Sequence, residues 1–144
     1  MRVVVDTNVL ISALLSGRSP PARIVTLWRE GRFELLTSAE QLDELARVTR
    51  YPKIRERLSP ALAGRLVNEL RDVAVMVSDL PTVTACADPY DNYLLAMIVA
   101  GRADHLVTGD KRDLLSMVRY EGARIIGVRD FLTMFGRMPR DEGA

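Results

Sequence analysis

Short apolar runs alternate with helical segments along almost the whole chain, and that alternation leaves few folds open. Residues 2–5, Arg-Val-Val-Val, form a continuous run of the kind seen in strands covered on both faces. Further strands are expected at 33–36, 74–77, 105–107 and 124–128. Between them the sequence predicts a helix over 9–15, ended near Ser16-Gly17, and a second from Pro20-Pro21 to about 30. A third is capped by Thr37 or Ser38, runs to about 50 and is broken by Pro52. A fourth opens at Ser59-Pro60 and runs to about 71. Segment 82–87 reads as a connector. Asp88-Pro89 opens a helix to 100, with Gly101 expected to end it, and shorter helices are expected over 113–117 and 130–135. Strands alternating with helices mean βαβ units: an α/β fold with a parallel sheet and helices on both faces. One domain is expected over 1–136, with a polar tail at 137–144.

Composition narrows the chemistry. The net charge of +1 points to neither a nucleic-acid nor a membrane partner, so any basic surface is local. A single cysteine, Cys86, excludes a disulfide within the chain and fits a reducing compartment; a small buried side chain is its expected role. One histidine, His105, excludes mechanisms that need a pair, and one His with one Cys cannot build a Cys/His zinc site. Asp6 and Asn8 interrupt the apolar N-terminal stretch, which therefore reads as neither signal peptide nor membrane span; a cytoplasmic location is expected. Catalysis, if there is any, falls to carboxylates.

The acids are placed to meet. Open parallel sheets put their sites at the carboxyl ends of strands, near the switch point in strand order. Asp6 ends the first apolar run and Asp110 follows a later one, His105-Leu106-Val107-Thr108-Gly109. Asp91 lies at the start of the helix between them, in Asp88-Pro89-Tyr90-Asp91-Asn92. Each also has a plain structural reading: Asp6 as the cap of the next helix, Asp88 and Asp91 as cap and first-turn acid, Asp110 and Asp113 as helix-start acids. Glu44 lies on the third helix, away from the stripe expected from Ala39, Leu42, Ala46 and Thr49, and spacing does not choose it over Glu40 or Asp43. An all-carboxylate cluster suits Mg²⁺ or Mn²⁺, hard cations that take oxygen ligands. Such sites commonly serve phosphoryl chemistry, the ion activating water for attack on a phosphodiester. Thr108 is placed to hydrogen-bond a ligand carboxylate. Arg47, Arg50, Lys53, Arg55 and Arg57 concentrate positive charge with Glu56 the only acid between 47 and 57, and Lys111 follows Asp110. Arg47, Arg50, Lys53 and Lys111 are candidate contacts to a nucleic-acid backbone, with a solvated helix end as the plainer reading of the ridge. Tyr51 and Trp28 are candidates for base stacking or for core.

Four of these segments, in this order, resemble the PIN-domain family, in particular its VapC-like toxin group. They are Val5-Asp6-Thr7-Asn8-Val9, then Ser38…Glu44-Leu45 with Arg50-Tyr51-Pro52-Lys53 behind it. After them come Asp88-Pro89-Tyr90-Asp91-Asn92 and Ala103-Asp104-His105-Leu106-Val107-Thr108-Gly109-Asp110. The resemblance implies a three-layer α/β/α sandwich, Rossmann-like, with Asp6, Glu44, Asp91 and Asp110 around one or two Mg²⁺ or Mn²⁺ ions. Asn8 and Thr108 would then support the ligands, with Asp88 and Asp113 as further candidates beside them. It also implies a metal-dependent endoribonuclease, often the toxin paired with an antitoxin protein, and commonly a homodimer or higher homo-oligomer. Segment 88–91 offers two aspartates for one family position; Asp91 fits the spacing to Asp110 better, and Asp88 could share the ion through water.

Other readings weigh less. A haloacid-dehalogenase-type phosphatase needs a second Asp where Asn8 stands, and a receiver domain needs adjacent acids after the first strand. A housekeeping RNA-processing nuclease, or a module that binds metal or nucleic acid without cleaving, stays open.

Overall fold

A computed structural model describes residues 1–109 and 111–136. Its centre is a six-stranded sheet in the order β3-β2-β1-β4-β6-β5. The strands are β1 (Arg2–Val5), β2 (Glu34–Ser38), β3 (Val75–Val77), β4 (His105–Thr108), β5 (Arg119–Tyr120) and β6 (Ala123–Gly127). The helices are α1 (Thr7–Leu15), α2 (Pro20–Arg29), α3 (Ala39–Val48), α4 (Pro52–Arg55), α5 (Pro60–Val73), α6 (Asn92–Gly101), α7 (Arg112–Leu115) and α8 (Val128–Thr133). All strand pairs are parallel except β5 with β6. The chain builds outward from β1 to β3 and then crosses back to lay β4 on the other side of β1. The switch point in strand order therefore falls between β1 and β4.

The continuous apolar runs are apolar because both faces are covered. Val3 and Val5 join one core with α1, α2, α3, α5 and α8, through residues such as Leu10, Trp28, Leu45, Leu70 and Phe131. Val4 points the opposite way, into a second core with Leu36, Leu106 and the α6 residues Leu94, Met97 and Ile98. Period-2 alternation along one strand thus feeds two layers. Cys86 is buried in the second core, and Trp28 belongs to the first.

Several local expectations are corrected. Pro52 is the first residue of a short helix, a position where its missing N–H costs nothing. Asp88 caps a 3-10 turn, Pro89–Asp91, and α6 starts only at Asn92. Gly101 does not end α6 by conformation. It is the last helical residue, and Arg102 behind it takes the left-handed cap, φ +52°. Gly101 is needed because α6 packs tightly on the sheet there: a Cβ would stand 2.6 Å from Leu36 Cδ1 and 3.1 Å from Val77 Cγ2. The strand β5 was not expected. It forms a hairpin with β6 through Glu121-Gly122, both with positive φ (47° and 88°), the backbone that two-residue hairpin turns require. On α3 the buried stripe is Gln41, Leu42 and Leu45, with Thr49 at its end; Ala39 is exposed. The expected tail at 137–144 lies outside the described residues.

Two outcomes follow. Gly101→Ala overpacks the α6–sheet contact at about 1–3 kcal/mol, against up to ~1 kcal/mol gained in helix propensity. The expected net result is a loss on the order of 1 kcal/mol in urea unfolding. An unchanged midpoint would show that Leu36 gives way freely.

His105, which opens β4, is held below its ordinary value of 6.5 by burial and then by Arg124, its register partner on β6. The fold favours neutral His105, so its contribution is complete above about pH 6.5 and is lost as pH falls through the depressed value. The difference in stability between pH 7.5 and pH 5 should therefore be smaller in His105→Gln than in wild type; an equal difference would contradict this.

Candidate active site

The carboxyl edge of β1 and β4 positions the first acid. Val5 registers with Val107, and the Asp6 amide donates to the Val107 carbonyl at 2.9 Å. Asp6 therefore lies beside the end of β4, where Thr108 Oγ1 donates to its Oδ2 at 2.8 Å. The Asn8 amide donates to Asp6 Oδ1 at 3.2 Å, so Asp6 does cap α1, as its plainer reading held. Capping uses one oxygen, and Asp6 is only 1% exposed. The Asn8 contribution is its backbone N–H; the residue itself is exposed.

Asp91 arrives from the other direction, at the N-terminus of α6. It is the acid in the 3-10 turn that leads into α6, as its plainer reading held, and its side chain makes no capping hydrogen bond. It is 4% exposed. Asp88, by contrast, caps the 3-10 turn by accepting from the Tyr90 amide at 3.0 Å. Burial pushes the Asp91 carboxyl above the usual range, while Lys111 pulls it back.

Lys111 joins the two acids. Its Nζ lies 2.8 Å from Asp91 Oδ1 and 3.3 Å from Asp6 Oδ2. Burial works against the Lys111 ammonium, but its hydrogen bond to Asp91 and the charge of Asp6 prevail, so its pKa is raised. Sequence placed Lys111 among the backbone-binding cations; the structure places it between the carboxylates.

Glu44 enters from α3, half-buried. It accepts a hydrogen bond from the Tyr93 hydroxyl, which is also joined to Thr7 Oγ1 at 2.8 Å. Burial, reinforced by Glu44, pushes the Tyr93 phenol far up, so it stays protonated and serves as a donor. The chain Glu44–Tyr93–Thr7 brings α3, α6 and the residue after Asp6 into one network. Gln41 fixes α3 for this: Nε2 donates to the Val5 carbonyl at 2.7 Å, and Oε1 accepts from Thr37 at 2.9 Å. Neither Tyr93 nor Gln41 stood out in the sequence. The available signal was a polar residue, Gln41, set on the apolar stripe of its helix.

Asp110 lies outside the described residues. Asp113 is exposed in the first turn of α7. Arg47, Arg50 and Lys53 are exposed, and Arg50 lines a cavity of about 490 Å³ between α3 and α5 with Arg55 and Arg71. Tyr51 is exposed. Among the described residues no three His, Cys, Asp or Glu side chains converge closely enough to hold an ion. The paired buried carboxylates nonetheless offer hard oxygen donors, and they already draw a cation to themselves, which is the donor chemistry Mg²⁺ and Mn²⁺ take.

The largely parallel sheet flanked by helices is an α/β sandwich, with two buried acids beside its switch point. The family is more definite. The PIN-domain family model matches residues 2–112, and the chain belongs to that family. PIN domains are generally nucleases and generally use divalent metals. An uncharacterized protein of Methanocaldococcus jannaschii is 30% identical over 118 residues, covering 81% of this chain and 75% of that protein. Among solved structures, VapBC2 from Rickettsia felis bound to a DNA fragment from its promoter is similar, with a TM-score of 0.49 and 17% identity. That match covers 88% of this chain and 98% of that one.

Tyr93→Phe keeps the ring and removes the hydroxyl that satisfies Glu44. A hydrogen bond to a charged, part-buried group is worth about 1–3 kcal/mol, and a stability loss in that range is expected on chemical denaturation. No loss would mean that water replaces the phenol at Glu44.

Proposed function

We propose that the chain is a divalent-metal-dependent endoribonuclease that hydrolyses RNA phosphodiesters and acts as the toxin of a toxin–antitoxin pair. One observation carries the reading: Asp6 and Asp91, both buried, converge on a single cationic group at the carboxyl edge of the sheet. Glu44 approaches the same edge through Tyr93 and Thr7, and Asp110 follows Thr108 in sequence as the fourth acid of the motif.

When bound, Mg²⁺ or Mn²⁺ supplies Lewis-acid stabilisation of the phosphoryl oxygens and an activated water. Asp6, Asp91, Glu44 and Asp110 are the residues that would hold it. Thr108 and the Asn8 amide fix the Asp6 carboxylate, and neither exhausts the lone pairs of the oxygen it contacts. Tyr93 holds Glu44 and, kept protonated, is no base. His105 stands at the opposite end of β4 from Thr108, against Phe131, and takes no part. Proton transfer therefore rests with carboxylates and water.

Arg47, Arg50 and Lys53 supply exposed positive charge for the RNA backbone. The toxin role, an antitoxin partner and a homodimeric or higher assembly rest on the order of the four motifs, and a cytoplasmic location on the interrupted N-terminal apolar stretch and the single cysteine. No described helix is long and apolar enough to cross a membrane.

The test is cleavage of a mixed set of structured and single-stranded RNAs with Mg²⁺, Mn²⁺ or EDTA. Wild type should cut only with metal. Loss of a residue that merely supports a ligand costs about 10–100-fold, so loss of the ligand itself in Asp6→Asn should cost more than about 100-fold. Full cleavage by Asp6→Asn, or in EDTA, would refute the reading.

A further inference from the structure

Two carboxylates as buried as Asp6 and Asp91, at 1% and 4% exposure, repel each other unless a cation stands between them. In this chain the cation is covalently attached. Lys111 Nζ reaches Asp91 Oδ1 at 2.8 Å, Asp6 Oδ2 at 3.3 Å and Asp6 Oδ1 at 3.5 Å. An ion shared by the two acids would draw on the same carboxylates, where both Asp6 oxygens and Asp91 Oδ1 already face the ammonium. An ammonium and a dication drawn to the same two carboxylates repel at contact distance, so each weakens the other's hold.

We propose that Lys111 is a tethered counter-ion of the carboxylate site, holding Asp6 and Asp91 together without metal and leaving when a divalent ion binds. The inference rests on the metal-dependent reading above and goes beyond it by making Lys111 the residue that sets metal affinity. The exit needs no large movement. Lys111 lies at the start of α7, its side chain is 29% exposed, and its flexible four-carbon stem lets the ammonium swing to solvent by bond rotation. A compact, strongly hydrated ammonium also suits a displaceable plug better than a guanidinium, whose planar fork binds carboxylates in two places. Metal affinity is accordingly lower than the acids alone would give, and the site keeps its charge balance whenever the ion is absent.

The chain contains two lysines, Lys53 and Lys111, which gives the test an internal control. Wild type is treated with a limiting amine-acylating reagent in EDTA and over a Mn²⁺ titration, and the labelled peptides are quantified by mass spectrometry. Lys53, exposed on α4, should label alike throughout. Lys111 should be protected in EDTA and become reactive with a midpoint equal to the Mn²⁺ dissociation constant measured by calorimetry. In parallel, Lys111→Met should bind Mn²⁺ about tenfold or more tightly than wild type, as expected for removing a partly buried charge contact that opposes the ion. Lys111→Arg, which retains the charge, should not. Lys111 labelling that ignores saturating Mn²⁺, or an affinity in Lys111→Met no higher than wild type, overturns the proposal while leaving the metal reading intact. Absence of Mn²⁺ binding in both wild type and Lys111→Met overturns the metal reading and the proposal with it.

Discussion

Burying two negative charges side by side is the constraint around which this molecule is organised. Asp6 can be buried because the parallel register of β1 with β4 brings it the Thr108 hydroxyl, the turn into α1 adds the Asn8 amide, and Lys111 at the start of α7 adds an ammonium. Asp91 can be buried because α6, apolar on nearly every face, is sunk in the second core and carries its N-terminus to the same edge. The close approach that makes Gly101 necessary at the far end of α6 is part of the same placement. Glu44 depends on a different tie, Gln41 to the Val5 carbonyl, which locks α3 to the strand that ends in Asp6. Three elements distant in sequence thus meet at one switch point, each fixed by polar contacts that do not themselves involve an ion.

Those contacts divide into two kinds. Thr108, Asn8 and Tyr93 donate to carboxylates through neutral groups, orienting them without cancelling their charge. Lys111 alone among the described contacts to Asp6 and Asp91 cancels charge. A buried pair neutralised by a partner is weak evidence of added stability, because desolvation offsets much of the attraction. What Lys111 does is counter the burial that pushes the Asp91 carboxyl up and hold the two acids close together.

Much of this was legible in the chain. The continuous runs at residues 2–5 and 105–107 announced strands covered on both faces, and strand–helix alternation announced the parallel sheet. The place of Asp6 was legible because it directly ends such a run, at the edge where β1 passes into α1. Tyr93 and Gln41 were not, because their roles come from partners far along the chain: Glu44 is 49 residues from Tyr93, and Val5 is 36 from Gln41. The β5 strand escaped because it is two residues long and its turn is Glu121-Gly122 in place of the commoner Asn-Gly. The stripe expected from Ala39, Leu42, Ala46 and Thr49 differs from the buried one because a buried glutamine with both ends hydrogen-bonded, Gln41, breaks the simple apolar pattern. Lys111 looked like surface charge because local sequence cannot show that its reach ends on two acids from other elements.

A divalent-cation site built on Asp6 and Asp91 at the edge between β1 and α6 can be seen directly. A crystal of the protein grown with Mn²⁺, measured at a wavelength where manganese scatters anomalously, addresses it without any substrate or partner. An anomalous peak is expected within coordination distance of both carboxylates. A peak only elsewhere on the molecule, or none at millimolar Mn²⁺ with both carboxylates clearly resolved, would contradict it.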